Sequence, residues 1–111
     1  MAPEPADLLL DRLRDRDAVV RCQAAREIGS ARLRAGVREL IQVLADDASA
    51  PVRRAAAEAL GRIGEGTARA PLERALRSER DDAVKSAIAA ALAHLGAASG
   101  DYPGILPVNE E

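Results

Sequence analysis

Val20-Arg21, Val52-Arg53 and Val84-Lys85 stand 32 residues apart, and the spacing carries far more than these pairs. Ala25, Ala57 and Ala89 share it, as do Ile28, Leu60 and Leu92, and Gly29 with Gly61. Asp17, Ser49 and Asp81 fall in the same register. Upstream, Leu40 matches Leu72 and Leu44 matches Leu76. Leu9 and Leu13 extend that upstream series with one residue fewer in the turn that follows. A period between about 20 and 50 residues marks a stack of supersecondary units, none of which can bury its apolar face alone. Three units are expected, over about 6–33, 34–66 and 67–96, with 1–5 as an N-terminal extension and 97–111 as a C-terminal tail.

Each unit reads as two helices. The first helices are expected near 6–14, 34–45 and 68–77, and the second near 18–28, 50–60 and 82–95. Asp17, Ser49 and Asp81 precede the second helices and are residue types whose side-chain oxygen accepts a free N–H at a helix start. Pro51 fits the first turn of its helix, where a missing N–H costs little. Gly29 and Gly61 are expected just past their helices, where a left-handed residue is wanted. Composition agrees with an all-α chain. Aromatic content is 1%, with no Phe or Trp and a single Tyr, so the core must come from Leu, Ile, Val and Ala. Strands of a sandwich favour the aromatic and β-branched residues that are scarce here.

The motif Val52, Arg53, Ala56, Ala57, Leu60, Gly61 resembles the HEAT-repeat family, and in particular the short HEAT-like repeats of the phycobilisome-lyase type. Leu13, Asp15, Asp17, Val20 and Arg21 match the same pattern in the first unit. The third unit departs from it, with Lys85 for Arg, Ile88 for Ala and Ala93 for Gly. The resemblance implies an α-solenoid, a right-handed superhelical stack of helix-turn-helix repeats whose second helices line the inner face. It also implies partner binding along the polar arc of those helices, and it does not imply lyase activity, because such repeats occur in many scaffolds.

The repeated basic residue has a physical reading. On a helical wheel Val52, Ala56 and Leu60 share one buried arc, and Arg53 lies at its edge. A partly buried guanidinium needs carboxylates or carbonyls, and the turns offer Asp15 and Asp17, Asp46 and Asp47, Asp81 and Asp82. A structural ladder of Asp17, Arg21, Asp47, Arg53, Asp81 and Lys85 between units is expected; a row of phosphate-binding arginines is the alternative. The opposite arc holds Cys22, Gln23, Arg26 and Ser30 in the first unit, then Arg54, Ala55, Glu58 and Arg62, then Ser86, Ala87, Ala90 and His94. Gln23, Arg26, Arg54, Glu58, Arg62 and His94 are the candidate partner-binding residues, able to hold a polypeptide by charge-assisted contacts; a plain solvated face is the competing reading.

Chemistry finds little support. His94 is the sole histidine, too few for a His-based metal site. No G-x-S-x-G accompanies Ser86, and the glycines of "GRIGEGTARAP" follow a helix rather than a strand, so they read as a turn between units. No catalytic residue, metal or cofactor is expected. A net charge of -2 with interspersed signs, and the lack of stacking aromatics, speak against nucleic acid and membrane partners. Arg32, Arg34 and Arg38 form a local basic patch, partly offset by Glu39. One cysteine and no basic-then-apolar leader at the N-terminus fit a cytoplasmic protein.

The expected function is a non-enzymatic scaffold or adaptor for an unidentified protein partner. The alternatives are an accessory subunit of a bilin lyase or another modifying enzyme, by resemblance, and a self-assembling repeat module. Leu8, Leu9 and Leu10 cannot all face one side of a helix, which makes the N-terminal end a candidate for self-association. Tyr102, Ile105, Leu106 and Val108 make the tail apolar, so it is expected to fold back as a cap on the third unit or to reach another chain, including a second copy.

Overall fold

The computed structural model describes residues 5–99. Six α-helices follow one another there: α1 (Pro5–Arg12), α2 (Ala18–Ser30), α3 (Val37–Asp46), α4 (Ala50–Ile63), α5 (Arg69–Ser78) and α6 (Asp82–Ser99). Short 3-10 turns at Arg34–Gly36 and Gly66–Ala68 lead into α3 and α5. No strand occurs among the described residues. The array is an all-α solenoid of helix-turn-helix units, as the 32-residue register requires. The cap expected of the tail falls on 100–111, which lie outside the described residues, whereas 97–99 belong to α6.

Caps explain where the second helices start. The Asp17 carboxylate accepts the Val19 N–H at 2.9 Å, and the Asp81 carboxylate accepts that of Val84 at 3.0 Å. Ser49 occupies the same position but makes no side-chain capping bond; Pro51, inside the first turn, removes one donor that would need it.

The helix ends lie beyond the expected glycines. Gly29 and Gly61 are buried inside α2 and α4, and α4 stops at Gly64, whose φ of 76° supplies the left-handed cap. At the end of α2 that conformation falls to Arg32, with φ 52°. The N–H of Leu33 bonds Ile28 O at 3.1 Å and that of Arg32 bonds Gly29 O at 3.0 Å, the pair of bonds of a Schellman cap.

What Gly29 and Gly61 do instead is set the spacing between units. A Cβ on Gly29 would stand 2.7 Å from Ala59 Cα, and one on Gly61 would stand 3.0 Å from Ala91 Cα. Small residues thus let α2, α4 and α6 approach backbone to backbone, with Ala55 and Ala87 filling the seams at 2% and 8% exposure. Those two alanines were expected on the solvent arc. Helix α4 packs on α2 and α6, and α6 on α4 and α5, so a wheel with a single buried side misplaces them.

The first helices meet far less: α3 and α5 touch little, while α2–α4 and α4–α6 are the most extensive contacts. Tight seams on one side and open ones on the other curve the stack toward the second helices. The core runs unbroken through Leu13, Ile28, Leu40, Leu44, Leu60, Leu72, Ile88 and Leu95. At roughly 1.5–3 kcal/mol for each large apolar side chain buried, this aliphatic row dominates stability.

Candidate partner-binding site

Arg21 and Arg53 each make a rung between units, but of the six residues expected in the ladder Asp17, Asp81 and Lys85 join none, and Glu79 takes the place of Asp81. Arg21 clamps Asp47 with two bonds, Nε to Oδ2 at 2.8 Å and Nη2 to Oδ1 at 3.0 Å. Its Nη1 donates to the carbonyls of Asp15 and Arg16 at 2.9 and 3.0 Å. Arg53 repeats the arrangement on Glu79, at 3.0 and 2.9 Å, and on the Asp47 carbonyl at 2.8 Å. The expected Asp81 does not take part, because it caps α6. Asp17 likewise caps α2 rather than joining a rung, and Lys85 makes no ion pair among the described residues.

Glu79 was legible as the 32-residue counterpart of Asp47, but the eye goes to the Asp81-Asp82 pair that copies the residue type. Each carboxylate also ties its own turn. Asp15 accepts the Asp17 N–H at 2.8 Å, Asp47 that of Ser49 at 2.9 Å, and Glu79 that of Asp81 at 3.0 Å.

Electrostatics follow from this geometry. Burial alone would raise the Asp47 carboxyl, and the bonds from Arg21 and the Ser49 N–H outweigh it, holding the group below its ordinary value. The Arg53 clamp holds Glu79 below its ordinary value against a smaller opposing effect of burial. Every guanidinium nitrogen of the two rungs donates at least one bond within the stack, so the ladder has little left to offer a phosphate. A cavity of about 360 Å³ between α3 and α5 ends on the Arg53–Glu79 rung, where the first helices splay apart.

The candidate residues lie on the second helices. Arg26, Arg54, Glu58 and Arg62 are all exposed. Arg26, Ser30, Glu58 and Arg62 ring a shallow depression of about 180 Å³ floored by Ala55 and Ala59. Arg26 and Arg54 also line an adjoining hollow of about 150 Å³ with Pro51, Asp81 and Ala83. Arg62 Nη1 donates to Ser30 Oγ at 3.0 Å, across one full repeat. Arg54 pairs with Glu58 at 3.2 Å one helical turn away, a surface pair worth only about 0.3–0.5 kcal/mol. Arg26 makes no ion pair among the described residues.

Gln23 and His94 are exposed but line neither depression. Gln23 takes the position that Ala55 and Ala87 hold in the other units, on the side of α2 turned away from α4. His94 continues the Ser30–Arg62 column onto α6. Cys22 is half-buried, with Sγ 3.8 Å from the Pro51 carbonyl. Of the basic patch, Arg34 is paired with Glu65 at 2.9 Å, and Glu39 is taken by Arg14 at 2.7 Å. Among the described residues no three His, Cys, Asp or Glu side chains gather as metal ligands, and no helix is long and apolar enough to cross a membrane.

The family model for HEAT repeats matches residues 6–93. The chain belongs to the HEAT-repeat family. The matched segment reaches from α1 into α6, and HEAT repeats generally mediate protein–protein interaction. A comparison with curated proteins returns no match. In this HEAT array the tight seams, the Arg ladder and the exposed row are separate sets of residues. The first two build the stack, and the third is exposed.

Proposed function

We propose that this HEAT-repeat protein is a non-enzymatic scaffold or adaptor that binds a partner polypeptide along the exposed row of its second helices. The observation that carries the reading is the division of labour among its charges. Arg21 and Arg53 are engaged through every guanidinium nitrogen in the ladder, whereas Arg26, Arg54, Glu58 and Arg62 surround alanine-lined hollows between the second helices. Weak local pairs such as Arg54–Glu58 exchange readily for contacts with a partner's carboxylates, amides and basic groups. The flat alanine floor admits the partner's backbone or small side chains. Gln23 and His94 extend the row at its two ends.

The test is capture of partners from lysate by the protein and by its Arg54→Ala/Glu58→Ala/Arg62→Ala variant. Exposed changes of this kind leave the helical content unchanged, because none touches the core. The expected result is a stoichiometric partner held by the wild type and weakened at least about tenfold, roughly 1.4 kcal/mol, by the variant. A partner held equally by both moves the site off the second helices and ends this reading.

A further inference from the structure

The two ends of the stack are built differently. Ala55 and Ala59, and Ala87 and Ala91, are buried where each unit meets the one before it. The same positions in the first unit hold Gln23 and Glu27, both exposed. That end has the polar surface of a terminus. The opposite end keeps the residues of an inner unit. Ala25 and Ala57, Ile28 and Leu60, and Leu44 are at most 2% exposed beneath the unit that follows them. Their counterparts on the third unit are open: Ala89 is exposed, Leu92 and Leu76 are only half-buried, and Ala93, at the position of the buried Gly29 and Gly61, is exposed. A face of α5 and α6 with inner-unit chemistry is therefore left without the cover that units one and two receive.

The ladder says what covers it. In both rungs the carboxylate stands 26 residues after its arginine, Asp47 after Arg21 and Glu79 after Arg53. The residue 26 positions after Lys85 is Glu111, with Glu110 beside it. The 32-residue register, carried on, lays 100–111 over 68–79, matching Pro103 to Pro71, Val108 to Leu76 and Glu111 to Glu79. We propose that the chain's own segment 100–111 covers the outer face of α5 and α6 in the place of a fourth unit's first helix, with the Glu110 and Glu111 carboxylates on Lys85.

Reach permits this. Ser99 back to Lys85 along α6 is about 21 Å at 1.5 Å per residue. Twelve residues extend to about 40 Å. Tyr102, Ile105, Leu106 and Val108 are the apolar residues that would replace the missing neighbour. Pro107, inside the segment, opposes a regular helix, so the cover follows the place of α5's counterpart and not its helical form.

Tyr102 is the only aromatic residue of the chain, so tyrosine emission reports on this segment alone. The experiment is acrylamide quenching of Tyr102 in the full 111-residue protein over a dilution series, beside a peptide of residues 97–111. Quenching in the protein is expected to be severalfold weaker than in the peptide and independent of protein concentration. Ala93→Glu, an exposed change that circular dichroism checks for retained helix, should raise it to the peptide level. Lys85→Glu should raise it as well, and Lys85→Glu/Glu111→Lys should restore protection. Peptide-level quenching in the wild type overturns the proposal, as does protection that survives Ala93→Glu. Protection lost on dilution overturns it in favour of a second copy as the occupant.

Discussion

Gly29 and Gly61 show how one residue type answers two demands. A helix interior prefers alanine to glycine by about 1 kcal/mol, so glycine persists there only for a reason outside the helix. For Gly29 the reason is Ala59, whose Cα and Cβ would lie 2.7 and 2.8 Å from an added Cβ. Both contacts are rigid parts of the neighbouring helix, so relief requires α2 and α4 to separate. Gly61 faces Ala91 at 3.0 and 3.1 Å, a clash that a shift of a few tenths of an ångström relieves. Gly29→Ala is therefore expected to destabilise by about 1–3 kcal/mol. Gly61→Ala should stay within about 1 kcal/mol of wild type, since gained propensity offsets the smaller strain. Urea denaturation of the two variants checks the order, and equal effects would remove the close-approach account. The sequence does not separate this role from capping, because a glycine near a helix end satisfies both patterns. Only the length of α4, ending at Gly64, decides between them.

At the scale of elements, the ladder makes stability depend on acid in a calculable direction. Asp47 and Glu79 are held below their ordinary values of 3.8 and 4.5. A group depressed in the folded state binds protons more weakly there than in the unfolded chain. Its contribution is complete above the ordinary value and is lost as pH falls through the folded value. Stability should thus be level near neutrality and decline below about pH 5. Glu79→Gln is expected to cost about 2 kcal/mol at neutral pH, by weakening the clamp on a mostly buried Arg53, and to flatten the acid limb. Urea midpoints from pH 7 down to 3 read both effects, and an unchanged limb would mean that other carboxylates govern it.

How much of this was readable follows from where the register is strict. Repeated Val, Ala and Leu marked the helices and their stacking, and the repeated Arg pointed to carboxylate partners without naming all of them. Glu79 escaped because a conservative Asp-to-Glu change hid it beside two aspartates. The buried seam of Ala55 and Ala87 escaped because a single helix carries no sign of its second neighbour. The contrast of Gln23 and Glu27 with their alanine counterparts was the signal that could have shown it. The candidate row was readable residue by residue, but the hollows between Arg26, Glu58 and Arg62 exist only once α2 and α4 are brought together.

For the molecule as a whole, a solenoid's stability is a sum of unit terms and nearest-neighbour interfaces. The units here are unequal in that sum. Helix α4 lies between α2 and α6, and seven of its fourteen residues are buried, from Val52 to Gly61. Helix α1 has eight residues, and Leu8 is 43% exposed. One rung joins each pair of neighbouring units, Arg21–Asp47 between the first and second and Arg53–Glu79 between the second and third. Local opening should therefore begin at the ends and reach α4 last. Amide exchange is expected to be slowest at buried positions of α4 such as Ala57 and Leu60, and fastest in α1. Glu79→Gln should then accelerate exchange in α5 and α6 while leaving α2 near its wild-type rate, because the lost rung lies on one interface only. If the variant instead speeds all helices equally, the array opens as one cooperative block, and the interfaces bind the units too tightly for any of them to open alone.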